Sequence, residues 1–454
     1  MNNDPKKNSN RRTESASQRR VSSGRPPQRS SSKPHYSNGS APKRKNTSLT
    51  RPEDRSLVEI VKDRALATQR KKDAQWDNKE IQRVRHGVDR PMLIIILVLI
   101  VLGTIMVFSA SYPNALREKN DSLYYIRNQL LWVTIGGGVM LFAAAIPYKI
   151  YKAVTPSVCL VSVALLLLVL VIGTAEGVAR RWIVVGPLSI QPSEIAKAAL
   201  IMTLAYYIDG HYDVISKSLD KKKKFWLGIV FPGVIVGVFC ALVLLEKHLS
   251  GTIILGLIGM SIIFVSGADI LKMVLFYGIP AACAGGLYLA TNSYALQRIT
   301  THNDANADVL AEAWQTTQGL YAIGSGGLLG MGLGESNLKY NYVSAAHNDF
   351  IFTIWCEELG LVGAILLICL YGLFVWRGFV IARKAPDTFT SLLAFGITFQ
   401  VGIQAALNIM VVTDLIPNTG VSLPFFSYGG SSLVMLMGEM GILLNISKHS
   451  YQNK

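Results

Sequence analysis

Ionisable side chains inside apolar segments are costly unless they are paired or face water, so where they occur is informative. Gln191, Glu194 and Lys197 lie at i, i+3 and i+6 within the apolar stretch 186–208, on one face of a helix. Glu194 and Lys197 can neutralise each other at this spacing. Such residues also line wet cavities, and that reading is favoured here. Glu357 and Glu358 open the stretch 350–376, Asp414 ends 391–413, and Pro417, Gly420, Pro424, Gly429 and Gly430 crowd the start of 422–446. A broken helix at membrane depth is tolerated only where it faces protein or a cavity. These polar residues gather toward one side of the membrane, which predicts a polar cavity there.

The other candidates sit in residues 291–349, the one long connection in an otherwise tightly connected chain. A long ordered loop is usually functional. It carries Asp304, Asp308, Glu312, Trp314, Gln315 and Gln318, then GSGGLLGMGLG over 324–334, then Lys339, Tyr342, His347 and Asp349. The glycine run fits neither GxGxxG after a strand nor GxxxxGK[ST]. Tight backbone turns beside the membrane explain it better. HExxH, paired CxxC and GxSxG are absent and the seven histidines are scattered, which argues against a zinc site or a serine triad. A carboxylate in this loop could act as a general base, but the residues alone do not choose among Asp304, Asp308 and Glu312.

The elements that must position these groups are read from apolar runs. Stretches long enough to cross a bilayer lie near 91–111, 128–147, 153–173, 186–208, 226–245, 251–267, 270–290, 350–376, 391–413 and 422–446. The expected fold is all-α: a polytopic integral membrane protein of about ten transmembrane helices, with a large extracytoplasmic loop, 291–349, between helices 7 and 8. The 454 residues are 50% hydrophobic and only 16% charged, yet the net charge is +16. Residues 1–90 account for +13 of it, and their Ser, Asn, Pro, Arg and Lys composition predicts a largely disordered tail, with a possible surface helix over 51–90. A soluble globular enzyme and a disulfide scaffold are excluded, and confinement of the charge to a tail argues against nucleic acid as a partner. With the N-terminus inside, 35 of the 45 basic residues fall on the cytoplasmic side, which also takes the C-terminal tail 448–454. The five cysteines fall in spans and read as small apolar packers.

Four segments then carry a resemblance. They are VFSASYPNA (107–115), ARRWIVVGPLSIQPSEIAK (179–197), the loop end from QTTQGLYAIGS to HNDFIFTIWCEELG (315–360), and PNTGVSLPFFSYGGSS with its continuation (417–447). In this order, across about 91–447, they resemble the SEDS family of cell-wall polymerases (FtsW, RodA and SpoVE), with the long basic tail leaning toward the division-type FtsW member. The resemblance implies a peptidoglycan glycosyltransferase that polymerises lipid II at the outer face of a bacterial cytoplasmic membrane. The acceptor 4-hydroxyl attacks the anomeric carbon of the lipid-linked donor with inversion, and polyprenyl pyrophosphate leaves.

It also implies roles. The family's general base lies seven residues before the Gln of a (Y/F)Q motif, matched here by Trp314-Gln315, which places it at Asp308 although the surrounding NDANADVLAEAW departs from the usual pattern. Arg181, Trp182, Gln191, Glu194, Lys197, Gln315, Lys339, His347, Asp349 and Tyr428 are the implied substrate-binding set. Arg181, Lys197 and Lys339 would stabilise the pyrophosphate, with Mg²⁺ as the expected cofactor and Tyr428 shaping the cavity. The family's E-P-D-L-G-T is replaced by Glu246-Lys247-His248-Leu249-Ser250-Gly251-Thr252, so its polar network must be rearranged around Glu246 or His248. Expected partners are lipid II, a class B penicillin-binding transpeptidase and other division or elongation complex proteins, at the septum. A lipid II flippase or a septal scaffold are the alternatives.

Overall fold

In a computed structural model of the protein, residues 87–176, 179–185, 188–217, 220–291, 314–340, 342 and 346–450 are described. The tail to residue 86 and the three loop carboxylates Asp304, Asp308 and Glu312 lie outside them. Among the described residues, seven helices are long and apolar enough to cross a membrane. They are α1 (Arg90–Lys119), α2 (Tyr124–Ala145), α3 (Tyr148–Ile172), α5 (Lys221–Leu245), α9 (Ile351–Arg383), α10 (Thr388–Val412) and α11 (Gly430–Lys448). Three further segments occupy the remaining predicted spans: α4 (Pro192–Lys217), α6 (Leu249–Val265) and α7 (270–291). A short α8 (Trp314–Ser325) lies in the long loop.

Two predicted spans shift. Residues 186–208 were expected to be helical throughout, but Leu188–Ile190 is β3, the third strand of an antiparallel sheet with β1 (Thr174–Glu176) and β2 (Ala179–Val185). A short apolar run does not distinguish strand from helix by hydropathy. Pro192, which favours the first helical turn, starts α4. At 422–446 the helix begins only at Gly430, and the proline- and glycine-rich stretch before it is irregular.

Burial explains why α4 tolerates its charges. Ala196, Ala199, Leu200, Ile201, Leu204, Ala205 and Ile208 are wholly buried, so this helix faces protein. By contrast α3 turns Leu160, Val161, Leu167 and Val171 outward, as a lipid-facing helix must. One end of the bundle is basic and tied by polar contacts. Arg377 holds Asp89 at 2.7 Å, Lys152 pairs with Asp209, and Lys448 and Asn445 donate to the Ala144 carbonyl, each at 2.8 Å. The sheet, the loop and the polar cavity occupy the other end.

There the glycine run clasps a broken helix. α9 is interrupted at Gly360 (φ 66°, ψ −165°), a backbone state that L side chains avoid. Backbone bonds run from Met331 and Gly332 to the carbonyls of Glu357 and Glu358, and from Leu361 and Val362 to those of Gly327 and Leu328. At Gly330 (φ 83°) an added Cβ would lie 2.2 Å from the Glu358 carbonyl oxygen. The glycines make the tight turns expected of them, with positive φ at Gly327, Gly330, Gly332 and Gly334, and in addition permit close backbone approach.

Candidate active site

A cavity of about 270 Å³ opens at this end, walled by β2, the starts of α4, α6 and α11, the 348–349 turn and α10. Seven predicted residues line it: Arg181, Trp182, Gln191, Glu194, Lys197, Asp349 and Tyr428. β2 carries Arg181 and Trp182, with Trp182 opposite Thr174 of β1. Arg181 Nη2 donates to the Lys247 carbonyl at 2.6 Å, which ties the strand to the α5–α6 turn. From the first turns of α4, Glu194 and Lys197 form an ion pair at 2.9 Å, and Lys197 Nζ donates to Gln404 Oε1 of α10 at 3.0 Å. The pairing and the cavity-lining readings therefore both hold.

Asp349 and Tyr428 are fixed through their backbones. Asn408 Nδ2 donates to the Asp349 carbonyl at 2.7 Å, and the Tyr428 N–H donates to the His347 carbonyl at 2.9 Å. His347 does not line the cavity. Its ring backs Tyr428 and Tyr125, at centroid distances of 5.9 and 4.7 Å, and burial lowers its basicity. Gln315 also lies outside the lining; on α8, its Oε1 is 3.5 Å from Asn418 Nδ2.

Lys339 corrects the expectation most clearly. It is 2% exposed, and its Nζ donates to Glu358 Oε1 at 3.1 Å, to Ser109 Oγ at 3.4 Å and to the Gly334 carbonyl at 2.5 Å. Neighbouring Glu357 accepts from Ser336 Oγ and the Asn337 amide. This cluster lies under the glycine clasp, and Lys339 does not reach the cavity. Its cation stabilises the loop, whereas those at the cavity are Arg181 and Lys197.

The site also draws on residues beyond the predicted set. Gln400, Gln404 and Asn408 recur at i, i+4 and i+8 on one face of α10, a polar stripe legible in the sequence. Gln404 lines the cavity, while Gln400 Nε2 donates to fully buried Glu439 of α11 at 2.8 Å. Glu439, Gln400 and the Glu194–Lys197 pair surround a void of about 20 Å³ beneath the cavity, enough for one water.

The rearranged segment also joins the site. His248 lines the cavity with Nδ1 3.3 Å from Ser193 Oγ, and Gly251 leaves space for its ring. Burial, together with Arg181 and Lys197, holds its imidazole down at about 3, so it stays neutral. Glu246 sits behind Arg181, its two oxygens buried without a hydrogen-bond partner, and burial pushes its carboxyl up to about 8 against the pull of Arg181.

The cavity suits an anion. The first turns of α4, α6 and α11 all open onto it, and α6 and α11 have no side-chain cap on their terminal N–H groups. Converging helix N-termini present positive dipole ends and free donors, the arrangement that binds phosphates. Arg181 adds a full charge. Among the described residues no three His, Cys, Asp or Glu side chains are grouped to hold a metal ion. The lining holds two carboxylates, Glu194, which pairs with Lys197, and Asp349, and one carboxylate with substrate phosphates is a usual Mg²⁺ setting.

Residues 90–452 match the cell cycle protein family of FtsW, RodA and SpoVE. The chain belongs to this SEDS family. It is 39% identical to the stage V sporulation protein E of Bacillus subtilis (strain 168) over 365 residues, covering 80% of this chain and 97% of that one. To the probable peptidoglycan glycosyltransferase FtsW of Geobacter sp. (strain M18) it is 36% identical, over 80% and 97%. Among solved structures, RodA of Thermus thermophilus superposes with a TM-score of 0.59 at 26% identity, over 81% of this chain and 98% of that one. A chain of a peptidoglycan synthase complex that coordinates polymerization and crosslinking superposes with a TM-score of 0.66 at 24% identity, over 81% and 99%. This SEDS protein is a multi-pass membrane protein with the family's helical fold.

Proposed function

We propose that this SEDS protein is a peptidoglycan glycosyltransferase that polymerises lipid II at the outer face of the cytoplasmic membrane. The observation that carries this reading is the convergence of three helix N-termini and Arg181 on one polar cavity. A polyprenyl pyrophosphate leaving group develops negative charge as the glycosidic bond breaks, and preorganised donors aimed at such charge lower the barrier. Trp182 and Tyr428 offer aromatic walls to the sugars. The acceptor 4-hydroxyl forms the new bond to the anomeric carbon, and a carboxylate takes its proton; Asp308, on the family resemblance, is that base. A positioned general base contributes about 10²–10⁴-fold.

Asp349 would hold Mg²⁺ together with the substrate phosphates, and the ion, when bound, supplies further stabilisation of the pyrophosphate charge. The basic end of the bundle is assigned to the cytoplasm, with both termini there, because cationic loops stay inside. On the family resemblance the partner is a class B penicillin-binding transpeptidase and the place the division septum; the fold's likeness to a chain of a complex that coordinates polymerization and crosslinking agrees with such a partner.

The test is polymer formation from lipid II by purified full-length protein in liposomes, with the partner transpeptidase added. Wild type should form glycan strands, and a folded Asp308→Ala variant should not. Polymer from that variant would remove Asp308 as the base. Lipid II translocation without polymer would replace the enzyme reading with a flippase.

A further inference from the structure

A second cavity, of about 260 Å³, lies at the basic end, between the C-terminal end of α4, the start of α5 and the α6–α7 turn. α4 begins at the first cavity with Pro192 and reaches the second at Ile215, about 35 Å further along at 1.5 Å per residue. The two cavities therefore sit at opposite ends of the bundle. Lys221, Lys224, Phe225, Gly228 and Ile229 follow i, i+3, i+4, i+7, i+8 and present one helical face to the second cavity. Lys272 joins them from α7. The one carboxylate in the lining, Asp269, is already engaged: it caps the Leu271 amide at 3.2 Å and pairs with Lys272 at 3.2 Å. The lining keeps a surplus of two positive charges.

The surroundings are built rather than incidental. α5 and α7 each contain a π turn beside the cavity, at Trp226–Val230 and Val274–Gly278, and such turns recur at functional sites. Tyr277 of one donates to the Ile229 carbonyl of the other, and Phe225 meets Phe276 edge-on at 5.9 Å. Trp226, Ile270, Leu271 and Val274 are more than half exposed next to the cationic lining. A cationic recess bordered by exposed apolar side chains and an interfacial Trp has the two-part character of a phospholipid: charge for the headgroup, apolar surface for the chains. A soluble anion would use only the first.

We propose that this recess binds a phosphoryl group, that of an anionic phospholipid of the membrane, with Lys221, Lys224 and Lys272 on the phosphate and the acyl chains along α7. Lys222 and Lys223 lie on the same short segment but outside the cavity lining, so they supply a charge-matched control.

Native mass spectrometry of the full-length protein in detergent, titrated with phosphatidylglycerol, tests this. Lys221→Ala/Lys224→Ala should bind about 30-fold more weakly, at the usual contribution of one cation near an anionic headgroup. Lys222→Ala/Lys223→Ala should stay within about threefold of wild type, and phosphatidylcholine should bind poorly. Equal losses in the two double variants, or equal binding of the two lipids, would overturn the site. Millimolar inorganic phosphate that displaces the lipid would overturn the lipid assignment in favour of a soluble phosphate. Should the first double variant not fold, Lys272→Gln and photo-crosslinking of a photoreactive phosphatidylglycerol replace it. Adducts on 221–229 or 267–272 support the proposal, and adducts confined elsewhere overturn it.

Discussion

Two polar clusters lie toward the same end of this bundle, and both contain a lysine beside glutamates. Around Lys339, Ser109, the Gly334 carbonyl and Glu358 surround the ammonium, while Ser336 and backbone amides engage Glu357. Around Lys197, one side of the network is an ion pair with Glu194, and the other opens through Gln404 and Arg181 into a cavity. In the first cluster three acceptors enclose the ammonium, Glu358 Oε2 is left without a hydrogen-bond partner among the described residues, and the whole holds a loop on a broken helix. The second keeps its donors directed at space that a ligand can enter. Residue type does not separate structural from functional charge here; access to open space does.

Substitutions can break this contrast. Lys339→Met strands Glu358 as a buried charge, and removing one partner of a buried pair costs roughly 3–5 kcal/mol. It should collapse the detergent Tm and the yield of folded protein, and activity should fall only in proportion. Arg181→Ala should do the reverse: a near-normal Tm with polymerisation down about 10²–10³-fold, the usual effect of removing one preorganised donor. A collapse of folding in Arg181→Ala, with Lys339→Met unaffected, would invert the comparison.

A smaller effect sharpens it by pH. The Glu246 carboxyl is raised from 4.5 to about 8, so its burial favours the neutral acid. Its contribution to stability is complete below pH 4.5 and is lost as pH rises through about 8. His248 is lowered from 6.5 to about 3, so its contribution is present above 6.5 and is lost as pH falls through that interval. Between about pH 4.5 and 6.5 the two effects oppose each other, so the Tm should decline from about 6.5 to 8; Glu246→Gln should flatten that decline and expose the His248 slope below 6.5, measured by a Tm series from pH 5 to 9. The smallest change expected is Ser193→Ala, which removes a long hydrogen bond to His248 and should cost about 0.5–1.5 kcal/mol in Tm-derived stability.

Much of this was legible in the sequence, and the misses have physical causes. Apolar run length located the helices, because a bilayer demands about 20 residues each. It failed at 188–190, where β3 has the hydropathy of a helix end. Gln191, Glu194 and Lys197 were visible because polar residues in an apolar run share a face. Gln400, Gln404 and Asn408 carry the same signal without charge and were overlooked, as was Glu439. Lys339 was misplaced because its partners, Ser109 and Glu358, are 230 and 19 residues away, and no local pattern reports such pairing. The (Y/F)Q motif pointed to Asp308, which lies outside the described residues.

The length of α6 has a consequence for how a lipid-borne substrate arrives. Its 17 residues span about 26 Å, short of the roughly 30 Å hydrocarbon core, and its first turn lines the cavity. The shortfall of nearly one helical turn is hydrophobic mismatch, confined to the wall of the cavity. Local thinning of the bilayer is one way a short span is accommodated, and it would set the floor of the cavity at headgroup depth. A carrier diffusing in the plane of its leaflet can then present its diphosphate to Ser250 and Gly251 without its chain leaving the hydrocarbon.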